Sequence, residues 1–221
     1  MLCLASKSRG DLEPTSGSTA LAEVEASKLS QRDLNPLGEK ALAIHAEQWK
    51  HADGDHFIYH FRQMAVATQV ATEAEFNYRV IAKVLERELP AAATKSHIYI
   101  FETAEDWAQF QQLGSLEKWT GGICSGGSLF IVRDPRMRFS DNSLGHEVAH
   151  LIVHRFYAEG VPTWIDEGFA EYVSRTAQAS FRRARGYNAK PHSQSIAPNE
   201  FIPLNTLTAF LRPPNDRVET F

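Results

Sequence analysis

Cysteine is scarce in this sequence. Its 221 residues hold two, Cys3 in a polar leading segment and Cys124 in a glycine-rich stretch. Two cysteines so placed make no disulfide framework, and no Cys-plus-His zinc spacing occurs. Long hydrophobic runs are missing as well. No apolar stretch approaches the ~20 residues that span a bilayer. Met1–Lys7 is too short and polar for a secretory signal, so an extracytoplasmic location requires a start further upstream. Charge is nearly balanced, with 23 Lys and Arg against 27 Asp and Glu for a net −4. That gives no general attraction to nucleic acid or to an anionic membrane. There is no internal repeat. What is present, 43% hydrophobic residues over this length, suffices for one sizeable domain.

Residues 1–35 are rich in Ser, Thr, Glu and Lys and read as a tail, disordered or helical over Ala20–Leu29. The folded domain is expected over 36–221. Ala41–Lys50 is apolar on one side, and Asp53-Gly54-Asp55 marks a turn. His56–Phe61 alternates as a strand, with Phe57, Tyr59 and Phe61 on one face and His56, Ile58 and His60 on a polar or half-covered one. His56 and His60 would stand roughly 13 Å apart there, too far to share a metal. Gln63–Glu88 is a long helical pattern ended by Pro90. His97–Phe101 reads as a strand, and Thr103–Leu113 as a helix with a capping start.

Gly121–Gly127 reads as a turn feeding a strand over Ser128–Val132. It is no phosphate loop, because no Lys-Ser/Thr follows and a strand comes next. Two further helices are expected: Asp141–Tyr157, capped by Ser140 or Asp141, and one entered by Pro162 and running to about Ala179. Phe181–Pro198 reads as a basic loop, and Phe201–Leu211 is apolar again.

The first of those helices contains His146-Glu147-Val148-Ala149-His150. Residues four apart lie about 40° apart around a helix, so both imidazoles can reach one tetrahedral ion. Glu147 flanks that face, placed to touch a metal-bound water without being a ligand. Leu144, Val148, Leu151 and Ile152 form the opposite, apolar face. The second helix carries Glu167 and Glu171, again one turn apart, among Trp164, Phe169 and Tyr172. Zinc needs a third protein ligand, and with no thiolate offered Glu167 fits. Glu171 then suits the outer position, accepting the free N–H of a ligating histidine. Bare carboxylates in such apolar surroundings would be costly, which argues against a solvated helix face. His154, one turn beyond His150, reads as a residue backing the site or half-exposed rather than as a ligand.

The metzincin pattern wants a glycine and a third histidine where Val153 and Phe156 stand, so it fails. His-Glu-Val-Ala-His followed by Trp-Ile-Asp-Glu-Gly-Phe-Ala-Glu-Tyr instead resembles the gluzincins, the thermolysin-like and aminopeptidase-like zinc peptidases, and among them the bacterial peptidase MA-like group. The resemblance covers roughly residues 55–210 and is specific over the two motifs. It implies an α+β, zincin-like fold: a small mixed sheet with an edge strand above the active-site helix, then a second helix carrying the third zinc ligand. It implies one Zn²⁺ per chain held by His146, His150 and Glu167, with Glu147 as general base and acid and Glu171 as outer partner. The expected activity is hydrolysis of peptide bonds in a peptide or protein substrate.

Two departures sharpen that expectation. The Gly-x-Met-Glu-Asn segment with which aminopeptidases hold a free amine is absent, favouring an endopeptidase. The family's further helix, often bearing an oxyanion-stabilising Tyr or His, would start about where this chain stops, so the C-terminal helical part is expected to be missing. Tyr157 and Tyr172 are substitutes for that group. Substrate is expected to pair with Ser128, Leu129 and Phe130, read as a sheet-edge strand. The alternative is an inactive, zinc-stabilised scaffold or binding domain, against which the intact Glu147 counts. A nucleic-acid module built on Arg175, Arg182, Arg183, Arg185 and Lys190 has no interleaved aromatic platform beyond Phe181 and Tyr187, and a solvated helix end and loop explain the cluster more simply.

Overall fold

A computed structural model of the chain describes residues 21–86, 94–116, 118, 120–134, 143–157, 161–184 and 186. It is a mixed α+β structure built on one six-stranded sheet. In chain order the elements are β1 (Glu23–Val24), α1 (Pro36–Ala43), β2 (Lys50–Asp53), β3 (Phe57–Phe61), α2 (Met64–Leu85), β4 (Ser96–Phe101), α3 (Ala104–Gly114), β5 (Gly122–Ser125), β6 (Ser128–Val132), α4 (Ser143–Phe156) and α5 (Thr163–Ala184). The strands lie in the order β1-β2-β3-β4-β6-β5. β3, β4 and β6 are parallel, while β1, β2 and β5 run antiparallel to their neighbours. Among the described residues no helix is long and apolar enough to cross a membrane.

Local chemistry explains most boundaries. Thr103 caps α3 by accepting the Asp106 N–H at 3.2 Å, as its sequence predicts. Asn35 caps α1 through the Gly38 N–H at 2.7 Å, and its amide donates to the Ser125 carbonyl at 3.0 Å and to Ser128 Oγ at 3.1 Å. One side chain thus starts a helix and ties down the β5–β6 hairpin. Gly126 and Gly127, at φ +56° and +74°, make the two-residue turn of that hairpin. Pro162 opens α5, its carbonyl accepting from Ile165 and Asp166. α5 outruns its expected end because Phe181 packs edge-on against Phe76 of α2, ring centroids 5.1 Å apart.

Three expectations change. The leading segment is ordered from residue 21: β1 pairs with β2, and Ala26–Lys28 is a single 3₁₀ turn in place of a longer helix. Ala41–Lys50 divides between the end of α1, a second 3₁₀ turn, and the first residue of β2, because His45 adopts a left-handed conformation that breaks the helix. The His60 face of β3 is not half-covered. Ile58 and His60 are 0% and 1% exposed, and His60 stacks on Tyr99 at 4.5 Å. Both faces of the sheet are buried. Phe57, Tyr59, Ile98, Ile100, Leu129 and Ile131 pack under α2 and α4, while Tyr99, Phe101 and Phe130 join Trp107, Phe110 and Ala41 under α1 and α3. Each such aromatic or aliphatic side chain contributes roughly 1.5–3 kcal/mol of burial.

The largest correction concerns the sheet edge. Ser128, Leu129 and Phe130 belong to β6, which is paired on both sides, and all three are buried. The glycine-rich segment ahead of them is not all turn. Gly122–Ser125 is itself a strand, because the Gly126-Gly127 turn folds it back along β6. β5 therefore forms the edge and covers the strand expected there.

Candidate metal centre

α4 and α5 pack together and place their polar faces opposite one another. α4 turns Leu144, Val148, Leu151 and Ile152 into the core, each 0–1% exposed. That fixes the helix's rotation and leaves His146 and His150 on the flank facing α5. α5 anchors through Ala170 and Val173, also buried, presenting Glu167 and Glu171 to the histidines.

Three donor atoms converge. His146 Nε2 lies 3.0 Å from His150 Nε2, Glu167 Oε2 lies 3.3 Å from the former, and 3.6 Å separates it from the latter. A tetrahedral cation with bonds of about 2.0–2.1 Å needs donor–donor edges of about 3.3–3.4 Å. The three residues therefore fit a metal ion, and together they form a metal-capable group. Glu171 Oε2 stands 3.6 Å from His146 Nδ1 while its other oxygen pairs with Arg175 Nε. Glu171 thus lies beside the outer nitrogen of His146 and ties one arginine of the basic cluster to the site. Arg182 and Arg183 are exposed, whereas Arg185 and Lys190 fall outside the described residues.

The electrostatics follow. Burial works against a charged His146, but the bonds it donates to Glu167 and Glu171 outweigh it and raise its pKa to about 9. Burial likewise disfavours a charged His150, and Asp166 and Glu167 lift its pKa to about 10. Glu167 is held far below the carboxylate range, first by His146 and then by His150.

Glu147 follows a different course. Its pKa is raised by burial, against the pull of the two histidines and of the Cys124 backbone N–H that hydrogen-bonds it. The base candidate thus sits between the metal-capable group and edge strand β5. Gly122, also in β5, leaves it room: a Cβ there would stand 3.1 Å from Glu147 Cγ. Cys124 carries no disulfide. Its thiol is pushed up to about 12 by burial, then by Glu147 and Asp166, so it is no nucleophile at neutral pH. Tyr157 and Tyr172 are both surface-exposed. The expected α4 caps, Ser140 and Asp141, and the whole region beyond residue 186, lie outside the described residues.

Asp166 is the residue that sequence reasoning passed over. Its Oδ2 lies 3.0 Å from His150 Nδ1 and accepts from His154 Nε2 at 2.9 Å. Neighbours in a helix point about 100° apart, which argues against a shared target. An imidazole, however, has two nitrogens. Glu167 addresses Nε2 of His150 and Asp166 addresses Nδ1, so adjacent carboxylates straddle one ring.

No family model, curated protein or solved structure matches this chain.

Proposed function

We propose that this chain is a zinc-dependent peptide-bond hydrolase of the gluzincin type within a zincin-like fold, more suited to internal peptide bonds than to a free amino terminus. The observation that carries the reading is the convergence of His146 Nε2, His150 Nε2 and Glu167 Oε2 beside a half-buried carboxylate, Glu147, under an edge strand. Two imidazoles and one carboxylate, with no thiolate, are a donor set suited to catalytic zinc. Zinc held there supplies Lewis acidity and makes water a nucleophile near neutral pH.

The chain's own residues do the rest. Glu147 accepts a proton from the attacking water as its oxygen bonds to the scissile carbonyl carbon. The same carboxyl group delivers that proton to the amine nitrogen as the carbon–nitrogen bond breaks. Its raised pKa suits both halves of that task, since a base that also acts as an acid works best near the operating pH. Glu171 holds His146, and Asp166 holds His150, in the orientation that keeps each Nε2 turned inward. The substrate lies extended along β5, whose Cys124 N–H turns away from β6 toward Glu147, and pairs with that edge by strand addition.

Metal analysis and a casein digest together test this reading. The protein should contain near one tightly held zinc per chain and cleave casein in a chelator-sensitive way. Glu147→Gln should keep that zinc and lose turnover by about 10²–10⁴-fold. Tight zinc with no turnover supports the scaffold reading instead, and a chain without tight zinc defeats both.

A further inference from the structure

We propose that His154, Asp166 and the outer nitrogen of His150 form a second divalent-cation site, adjoining the first and sharing the His150 ring. On α4 the histidines recur at every fourth residue, His146, His150 and His154, with successive ring centroids 4.7 Å and 6.1 Å apart. That is a stripe down one helix face. The N-terminal part of α5 sets a carboxylate against each gap in the stripe. Glu167 faces the gap between His146 and His150, and Asp166 faces the gap between His150 and His154. The motif of two histidines one turn apart plus one carboxylate therefore occurs twice in succession.

The second copy meets the same geometric test as the first. His150 Nδ1, His154 Nε2 and one Asp166 carboxylate oxygen all lie within 4.8 Å of one another. Asp166 Oδ2 is 3.0 Å from the first nitrogen and 2.9 Å from the second. Two further atoms point to a missing partner. His150 Nδ1 and Asp166 Oδ1 are buried, and neither makes a hydrogen bond. Buried polar atoms normally have a partner. A cation between Nδ1, Nε2 of His154 and the carboxylate gives each a partner at once, and Oδ1 is free to join it.

Imidazole and carboxylate donors select a borderline ion such as zinc. The site differs from the first in access. The His154 side chain is 51% exposed, so water completes the coordination and exchange is easy. Filling it beside an occupied first site requires the Nδ1 proton of His150 to leave to solvent, which makes the second equivalent the weaker one. It also withdraws Asp166 from its orienting contact, so excess zinc should slow any reaction at the first site. The sharing of His150 rests on the functional reading above, whereas the His154–Asp166 half does not.

Equilibrium dialysis of the full chain against rising free zinc, with metal counted per chain, tests the proposal. The wild type should bind one tight and one weaker equivalent. His154→Ala should lose the weaker one alone, and its half-exposed position favours unchanged folding, checked by circular dichroism. His146→Ala should lose the tight one alone. His45→Ala, a change at another exposed histidine, should lose neither. Saturation at one equivalent that His146→Ala removes would overturn the second site and leave the first intact. One equivalent removed by His154→Ala but not by His146→Ala would uphold the second and sink the first. Loss of the weaker equivalent in His45→Ala would expose it as adventitious surface binding and overturn the proposal.

Discussion

Two groups of buried or half-buried histidines lie among the described residues, and they behave oppositely. In the sheet, His51, His60 and His97 form a chain across β2, β3 and β4. His60 Nδ1 meets His51 Nδ1 at 2.8 Å, and His60 Nε2 meets His97 Nδ1 at 2.8 Å. Burial lowers all three pKa values, that of His60 furthest, first because burial strips it of water and then because both its neighbours are histidines. In the helix pair, His146 and His150 are raised instead. Depth does not separate the groups, since His60 is 1% and His150 8% exposed. The partner does. An imidazole bonded to an imidazole gains nothing from a second positive charge, while one facing a carboxylate does. The sheet chain is a neutral, packed element of the core. The helix pair is a charge-balanced pocket that a cation can enter in place of protons.

Exchange of roles is the strongest way to break this comparison. His146→Ala should remove the tight metal and with it at least about 10³-fold of any hydrolysis, because the donor set falls to two. His60→Ala should do the reverse. It leaves a cavity between Tyr99 and His97 and strands two buried ring nitrogens, costing about 2–4 kcal/mol, yet metal content should not change. Urea unfolding and metal analysis of both variants decide it. A His60→Ala protein that folds but no longer binds metal would mean that the two groups are coupled.

A pH series on metal-free protein gives a smaller contrast. The sheet histidines have folded pKa values below the ordinary 6.5. Their neutral packing therefore contributes stability that is full above 6.5 and is lost as pH falls below it. The helix histidines have folded values near 9 and 10. Their ion pairs stabilise fully below 6.5 and are lost as pH rises through 9 to 10. Stability of the metal-free chain should thus fall on both sides, by about 1–3 kcal/mol on the alkaline one. Zinc should abolish the alkaline loss, since a coordinated nitrogen carries no proton to lose. Melting temperatures with and without chelator measure this. An alkaline decline that zinc leaves untouched would count against metal at these histidines.

The same contrast marks what could be read from sequence. His146, Glu147, His150, Glu167 and Glu171 were legible because helical spacing alone sets which side chains share a face. So were α2, α3, α4 and β6, whose periodicity and caps are local. The sheet histidines were not, because His51, His60 and His97 meet only through strand pairing, and a single strand says nothing of its neighbours. β5 was missed for a related reason. Its glycines signal a turn, and only pairing with β6 makes Gly122–Ser125 a strand. That error moved the sheet edge by one strand. Asp166 escaped notice because adjacency in a helix hides a pair that straddles one ring.

The reassigned edge yields the smallest and most local prediction. Gly122 has ordinary backbone torsions, so its glycine is not needed for its fold. It is needed for space: an added Cβ would press on Glu147 Cγ at 3.1 Å and touch Ile131 Cγ2 at 3.5 Å. β5 is an edge strand and can yield by the few tenths of an ångström required. Gly122→Ala should therefore change stability by under about 1 kcal/mol, with the backbone-entropy gain of alanine offsetting the crowding. The pressure falls on the one carboxylate proposed to meet both water and leaving amine. A misplacement of a fraction of an ångström there should lower kcat by up to ~10-fold with tight metal content unchanged. Steady-state kinetics beside a metal count will separate the effects. An unchanged kcat would mean that Glu147 has slack against β5, and that the glycine reflects strand geometry rather than the base it faces.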